Sequence, residues 1–121
     1  MEEISRILSI ISTVRIRKVM EEQEIQDAIE HAFQERGILY EREAKVAPRC
    51  RLDFLSSGVA VEVKKRRPEK AKLIAQITRY ARLDAIKAII VVLERSIGLP
   101  PTICGKPVQV VSFNSLWGVA L

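Results

Sequence analysis

Arg51-Leu52-Asp53-Phe54-Leu55-Ser56-Ser57-Gly58-Val59-Ala60-Val61-Glu62-Val63-Lys64 divides into two runs of alternating side chains around a short polar break. Side chains on a strand change face at every residue. Arg51, Asp53 and Leu55 are therefore expected on one face, with Leu52 and Phe54 on the other. In the second run Ala60, Glu62 and Lys64 share a face and Val59, Val61 and Val63 lie behind them. Ser56-Ser57-Gly58 is short, polar and includes a residue that takes positive φ freely, which predicts a hairpin.

Partners across an antiparallel ladder must lie on one face, which limits the register. Pairing Leu55 with Ala60 sets Asp53 opposite Glu62 and Arg51 opposite Lys64. Directly opposed Cβ atoms are roughly 4.5 to 5.5 Å apart, and like charges at that distance repel. Two carboxylates so placed call for a cation, and Mg²⁺ or Mn²⁺ suits them, since hard divalent ions take carboxylate oxygen and fill the remaining positions with water or phosphate. The plain alternative is that Glu62 and Lys64 decorate a solvent-facing strand. A Glu-x-Lys triplet by itself does not decide between the two.

The rest of the chain is read as one α/β domain. Its 121 residues suffice to bury roughly two-thirds of the unfolded surface in one core. Residues 1–18 are expected to hold an extra amphipathic helix, from Ile4, Ile7, Leu8, Ile11 and Val14 at helical spacing. A second helix is expected from Val19 to Arg36, with Ile25, Ala28, Ile29, Ala32 and Phe33 inward and Gly37 as its stop. Leu39 to Val46 alternates as a strand ending before Pro48. After the hairpin, Pro68 opens a helix from Glu69 to Leu83 with Leu73, Ile74, Ile77, Tyr80 and Ala81 inward. Ala88 to Leu93 is apolar on both faces and reads as a central strand, and Val108 to Phe113 as the last one. The expected order is α(α)βββαββ, a mixed sheet flanked by helices, because a helix between neighbouring parallel strands requires a crossover.

Charge and composition narrow the classes of function. Twenty basic against fifteen acidic residues give a net charge of +5. The bases cluster at Arg15, Arg17 and Lys18 and at Lys64, Lys65, Arg66 and Arg67, a pattern that attracts phosphate through counterion release. Cys50 and Cys104 are far apart and the chain holds one histidine, His31, so a zinc site at recognisable ligand spacing is excluded and both thiols are read as reduced and structural. Met1-Glu2-Glu3 carries acid where a secretory leader carries base, and the longest apolar run is too short to cross a bilayer. A cytoplasmic protein is expected. His31 is read as a surface residue and Trp117 as a packing residue; with so few aromatics, no stacking platform for single strands is evident.

Asp53 followed by Glu62-Val63-Lys64, a preceding helix with Glu24 and a following helix with Gln76-Ile77-Thr78-Arg79-Tyr80 together resemble the PD-(D/E)xK nuclease superfamily, which includes restriction endonucleases, Holliday-junction resolvases and RecB-type exonuclease domains. The resemblance spans Glu24 to Leu93, and Gln76 with Tyr80 is similar to the Gln-x-x-x-Tyr motif of the RecB-type members. One position departs: Leu52 stands where the motif has proline. The resemblance implies a restriction-endonuclease-like fold and an Mg²⁺- or Mn²⁺-dependent DNA endonuclease, acting on junctions or other DNA structures. An inactive DNA-binding module of the same fold is the alternative. By the same resemblance Asp53, Glu62 and the Val63 carbonyl hold the metal and Lys64 stands beside the attacking water. The upstream acid is Glu24, Glu41 or Glu43. Gln76 and Tyr80, four apart on one helical face, reach the site, and Arg51, Lys65, Arg66, Arg67 and Arg79 join Arg15, Arg17 and Lys18 in contacting DNA. A homodimer is expected, since cutting both strands with one site per chain favours two chains, and the Ile4-to-Val14 stripe offers an apolar contact.

Overall fold

Eleven residues, Glu2–Ser12, form helix α1, followed by α2 (Glu22–Glu35), β1 (Glu41–Ala47), β2 (Cys50–Ser56), β3 (Val59–Lys64), α3 (Lys70–Ala81), β4 (Ala88–Leu93), β5 (Thr102–Ile103) and β6 (Lys106–Ser112). The structure is a computed structural model and describes residues 2–17 and 19–113. Lys18 and Trp117 lie outside the described residues. The strands make one mixed sheet in the order β1-β2-β3-β4-β6-β5. β1, β2 and β3 run antiparallel in turn, whereas β3, β4 and β6 are parallel neighbours. Helix α3 supplies the crossover from β3 to β4.

Both faces of the sheet are covered, which is why every residue of β4 is buried. On one face Ile7, Ile11, Ile29 and Phe33 from α1 and α2 pack with Val61, Val63, Ile90 and Val92. On the other, Leu73 and Ile77 of α3 pack with Ala60, Ile89 and Val91. Ile4, Ile7, Ile10 and Ile11 of α1 are all buried within this chain. The stripe considered as a dimer contact is thus already covered by the chain's own sheet, and it gives no reason to expect a second copy.

Four local expectations are corrected. α2 begins at Glu22 instead of Val19, whose side chain is exposed. Ile74 is only half-buried on α3. The connection after β4 contains an additional short strand, β5, which pairs with β6 through a turn at Cys104 and Gly105, both of positive φ (53° and 74°). That backbone suits a two-residue hairpin because its twist matches the strands.

The fourth concerns the alternation in β2. Phe54 packs in the α1–α2 core, with its ring 5.4 Å from that of Phe33, while Leu52 packs in the α3 core. Residues two apart thus enter opposite cores, with Asp53 between them. The neighbouring strand shows the same change: Ala44, the partner of Leu52, lies in the α3 core, and Arg42, the partner of Phe54, lies over the Phe54 ring. Glu43, between them, has a φ of 56°, a left-handed conformation that bends an edge strand and re-aims its side chains.

The turn at Ser57 and Gly58 is held from below. The Gly58 carbonyl accepts the backbone N–H of Lys87 at 2.7 Å and that of Ala88 at 3.4 Å, joining the hairpin tip to the start of β4.

Candidate functional site

The β2–β3 register pairs Leu55 with Ala60 and Phe54 with Val61, which brings Asp53 and Glu62 together one step further on. There the strands are linked through carboxylates. The Asp53 N–H donates to Glu62 Oε1 at 3.2 Å, and the Val63 N–H donates to Asp53 Oδ2 at 2.7 Å. Glu62 is 2% exposed. Burying an acid disfavours its charged form, and a second acid beside it adds to the effect. The Glu62 carboxyl is pushed up to about 8, chiefly by burial and then by Asp53, with Lys64 opposing. Asp53 is also raised, again by burial first, against the lowering effect of the Val63 N–H bond.

Lys64 and Gln76 close the site around Glu62. Lys64 Nζ lies 3.7 Å from Glu62 Oε2. From α3, Gln76 Nε2 donates to the same oxygen at 3.5 Å and to the Tyr80 hydroxyl at 2.8 Å. The Tyr80 hydroxyl in turn donates to the Arg51 carbonyl at 3.2 Å. Burial and the charge of Glu62 push the Tyr80 hydroxyl up to about 12, so it stays protonated and able to donate. The chain Arg51–Tyr80–Gln76–Glu62 fixes α3 against both strands of the hairpin.

Glu24, one of the three upstream acids considered, is engaged elsewhere. Its Oε1 accepts the Glu21 backbone N–H at 3.1 Å, closing the first turn of α2 as a capping interaction. Glu22, two residues earlier, takes the place near the pair. Its Oε2 accepts the Lys65 N–H at 3.1 Å, and its charge raises both Asp53 and Glu62. Glu43 also acts on Asp53, and Glu41 is exposed at the start of β1. Glu22 escapes a reading of the sequence because a helix start at Val19 gives no reason to single it out.

Of the bases, Lys65, Arg66 and Arg67 line a cavity of about 360 Å³ beside the ends of β3 and β4. Arg51 and Arg79 line another, of about 430 Å³, with Gln76 and Tyr80. Arg15 lines a separate cavity with His31 and Glu35, and Arg17 is exposed in the connection to α2. His31 is paired with Glu35 on the surface of its own helix. Cys50 is buried and Cys104 exposed, both as free thiols.

The donor set suits a hard divalent ion. Among the described residues no cluster of three or more His, Cys, Asp or Glu side chains is poised to hold a metal. Mg²⁺ needs fewer protein ligands, because it retains several waters and is held through one or two carboxylates plus substrate phosphate. A buried acid, Glu62, raised by its burial and by the half-buried Asp53 beside it is the electrostatic condition that a cation relieves. No known protein family, curated protein sequence or solved structure matches this chain.

No helix among the described residues is long and apolar enough to cross a membrane.

Proposed function

We propose that this chain is an Mg²⁺- or Mn²⁺-dependent nuclease that hydrolyses DNA phosphodiesters, with a restriction-endonuclease-like fold. The reading is carried by one observation: Asp53 and Glu62 meet on adjacent strands, the Asp53 N–H donating to Glu62 and the Val63 N–H to Asp53, with the Lys64 ammonium 3.7 Å from Glu62. The order of strands, with a crossover helix bearing Gln76 and Tyr80 against the same carboxylate, supports the resemblance seen in the sequence.

Asp53, Glu62 and the Val63 carbonyl would hold the ion. A divalent cation so bound lowers the pKa of water and stabilises the charge that develops on the phosphoryl group. Lys64 places a positive charge at the edge of the carboxylate pair, where it offsets charge on an incoming phosphate or orients a water. Gln76, fixed between Tyr80 and Glu62, holds the Glu62 carboxylate in one orientation. Glu22 adds negative charge on the α2 side and ties that helix to the residue after Lys64.

The test is purified protein with Mg²⁺ or Mn²⁺ on a panel of linear, nicked, flapped, single-stranded and four-way DNA. Cleavage of at least one substrate, lost in Glu62→Ala with DNA binding retained, supports the reading. Folded protein that cuts none of them overturns it. A junction resolvase predicts paired symmetric cuts on the four-way substrate by a homodimer. Binding without cutting by the unaltered chain would favour a non-catalytic DNA-binding module.

A further inference from the structure

Two basic cavities flank the carboxylate pair, and each is joined to it through the chain. The first lies on the β1–β2 side and is lined by Lys45, Arg49, Arg51 and Arg79. Arg51 is two residues before Asp53, and the cavity shares Gln76 and Tyr80 with the site. The second, on the β3–β4 side, is lined by Lys65, Arg66, Arg67 and Arg95, with Glu21 and Glu94 on its wall. Lys65 directly follows Lys64, and its backbone is held by Glu22.

The first cavity carries a further sign of an anionic occupant. Lys45 and Arg51 are direct partners across β1 and β2. Like charges so placed destabilise a sheet unless an anion lies between or above them. Among the residues lining that cavity there is no acid. Lys45, Arg49 and Arg95 stand outside the basic runs of the sequence; the fold adds them to the two clusters.

We infer that a nucleic-acid backbone crosses this site from the Lys45–Arg51 cavity to the Arg66–Arg95 cavity, so that phosphates are held on both sides of the bond placed over Asp53 and Glu62. This rests on the nuclease reading and deepens it: the substrate is an internal phosphodiester of a continuous chain, and no free end is needed. A site that recognised a terminus would place its cationic contacts on one side of the acids and close the other.

The experiment uses the full chain with a covalently closed single-stranded DNA circle and a linear strand of the same sequence, bound in Ca²⁺ and cut in Mg²⁺ or Mn²⁺. Circle and linear strand are expected to bind within about threefold of each other and to be cut at similar rates. Lys45→Gln/Arg51→Gln and Arg66→Gln/Arg67→Gln alter exposed residues, so folding should survive, and thermal melting checks this. Each pair is expected to weaken circle binding and to lower the salt slope by up to about 1.4, at ~0.7 for each phosphate of a single strand that is no longer neutralised. The first pair should leave the melting temperature unchanged or higher, because it removes a like-charge pairing. A circle that is neither bound nor cut while the linear strand is, or a binding loss in only one of the two variants, overturns the inference. If both variants weaken circle binding yet no DNA is cut, the two-sided path stands and the nuclease reading fails.

Discussion

Glu22 and Lys65 are joined by a 3.1 Å hydrogen bond from the Lys65 backbone N–H to Glu22 Oε2, so the first turn of α2 is anchored to the residue that follows Lys64. The bond places the Glu22 charge within electrostatic reach of Asp53 and Glu62 while Glu24 is occupied with the helix end. Two acids on one helical turn thereby have separate duties.

Substitution should separate them. Glu22→Gln is expected to reduce cleavage by about 10- to 100-fold, the usual cost of losing a group that orients a metal site, with little change in melting temperature. Glu24→Ala should instead destabilise the fold by roughly 0.5–2 kcal/mol, as other lost caps do, and leave cleavage by the folded fraction near its original rate. Paired melting and cleavage measurements check both; the reverse pattern would return Glu24 to the site.

The raised acids make metal-free stability depend on pH. Glu62 has its folded pKa pushed from 4.5 up to about 8, so between these values the folded chain binds more protons than the unfolded one. Stability therefore falls as pH rises through this window, by at most roughly 1.4 kcal/mol for each pH unit crossed. Asp53 is raised as well and adds in the same direction. Denaturant melts in EDTA from pH 5 to pH 8.5 should show the decline, and adding Mn²⁺ at the upper end should reverse part of it.

Neutralising the buried acid should stabilise the empty site and disable it. Glu62→Gln removes a charge that is 2% exposed, so at pH 8 without metal the variant is expected to melt several degrees above the original chain. Mn²⁺ should no longer raise its melting temperature. A variant that still gains stability from Mn²⁺ would place the ion elsewhere.

Tyr80→Phe tests the link from α3 to the hairpin. The hydroxyl donates to the Arg51 carbonyl and receives the Gln76 amide, so its loss should cost about 0.5–1.5 kcal/mol of stability. Gln76 keeps Glu62 as a partner, and cleavage is expected to fall several-fold without disappearing. Melting together with single-turnover cleavage distinguishes this from a purely packing role, which would lower stability alone.

Much of this arrangement is legible in the amino-acid order alone. The valines of β3 and the placement of Ala60 admit a hairpin register pairing Leu55 with Ala60, and the structure has it. The run Ala88–Leu93 requires cover on both faces and has it. The change of face around Asp53 is not legible, because Leu52 and Phe54 keep a regular spacing of two in the sequence, and the left-handed backbone of Glu43 on the neighbouring strand falls on a residue with no special tendency toward positive φ. Thr102–Ile103 is too short for a periodic signal and lies among prolines. Glu24 is easily misassigned because its cap partner is Glu21, outside the Ser/Thr pattern by which such boxes are recognised. The cationic cavities need the fold itself, since Lys45 and Arg51 meet only through pairing of β1 with β2.

The doubly bonded Gly58 carbonyl restricts how this protein can be engineered. Exposed turns are ordinarily favoured for inserted epitopes, fluorophores or permuted termini, but here an insertion would pull against the first residue of a fully enclosed strand. Gly58 also resists a replacement side chain, as a Cβ there would stand 3.0 Å from Lys87 Cγ, which would have to shift, and the φ of 81° strains any other residue. The Cys104–Gly105 turn, whose glycine has open space around it, is the better place to attach a reporter.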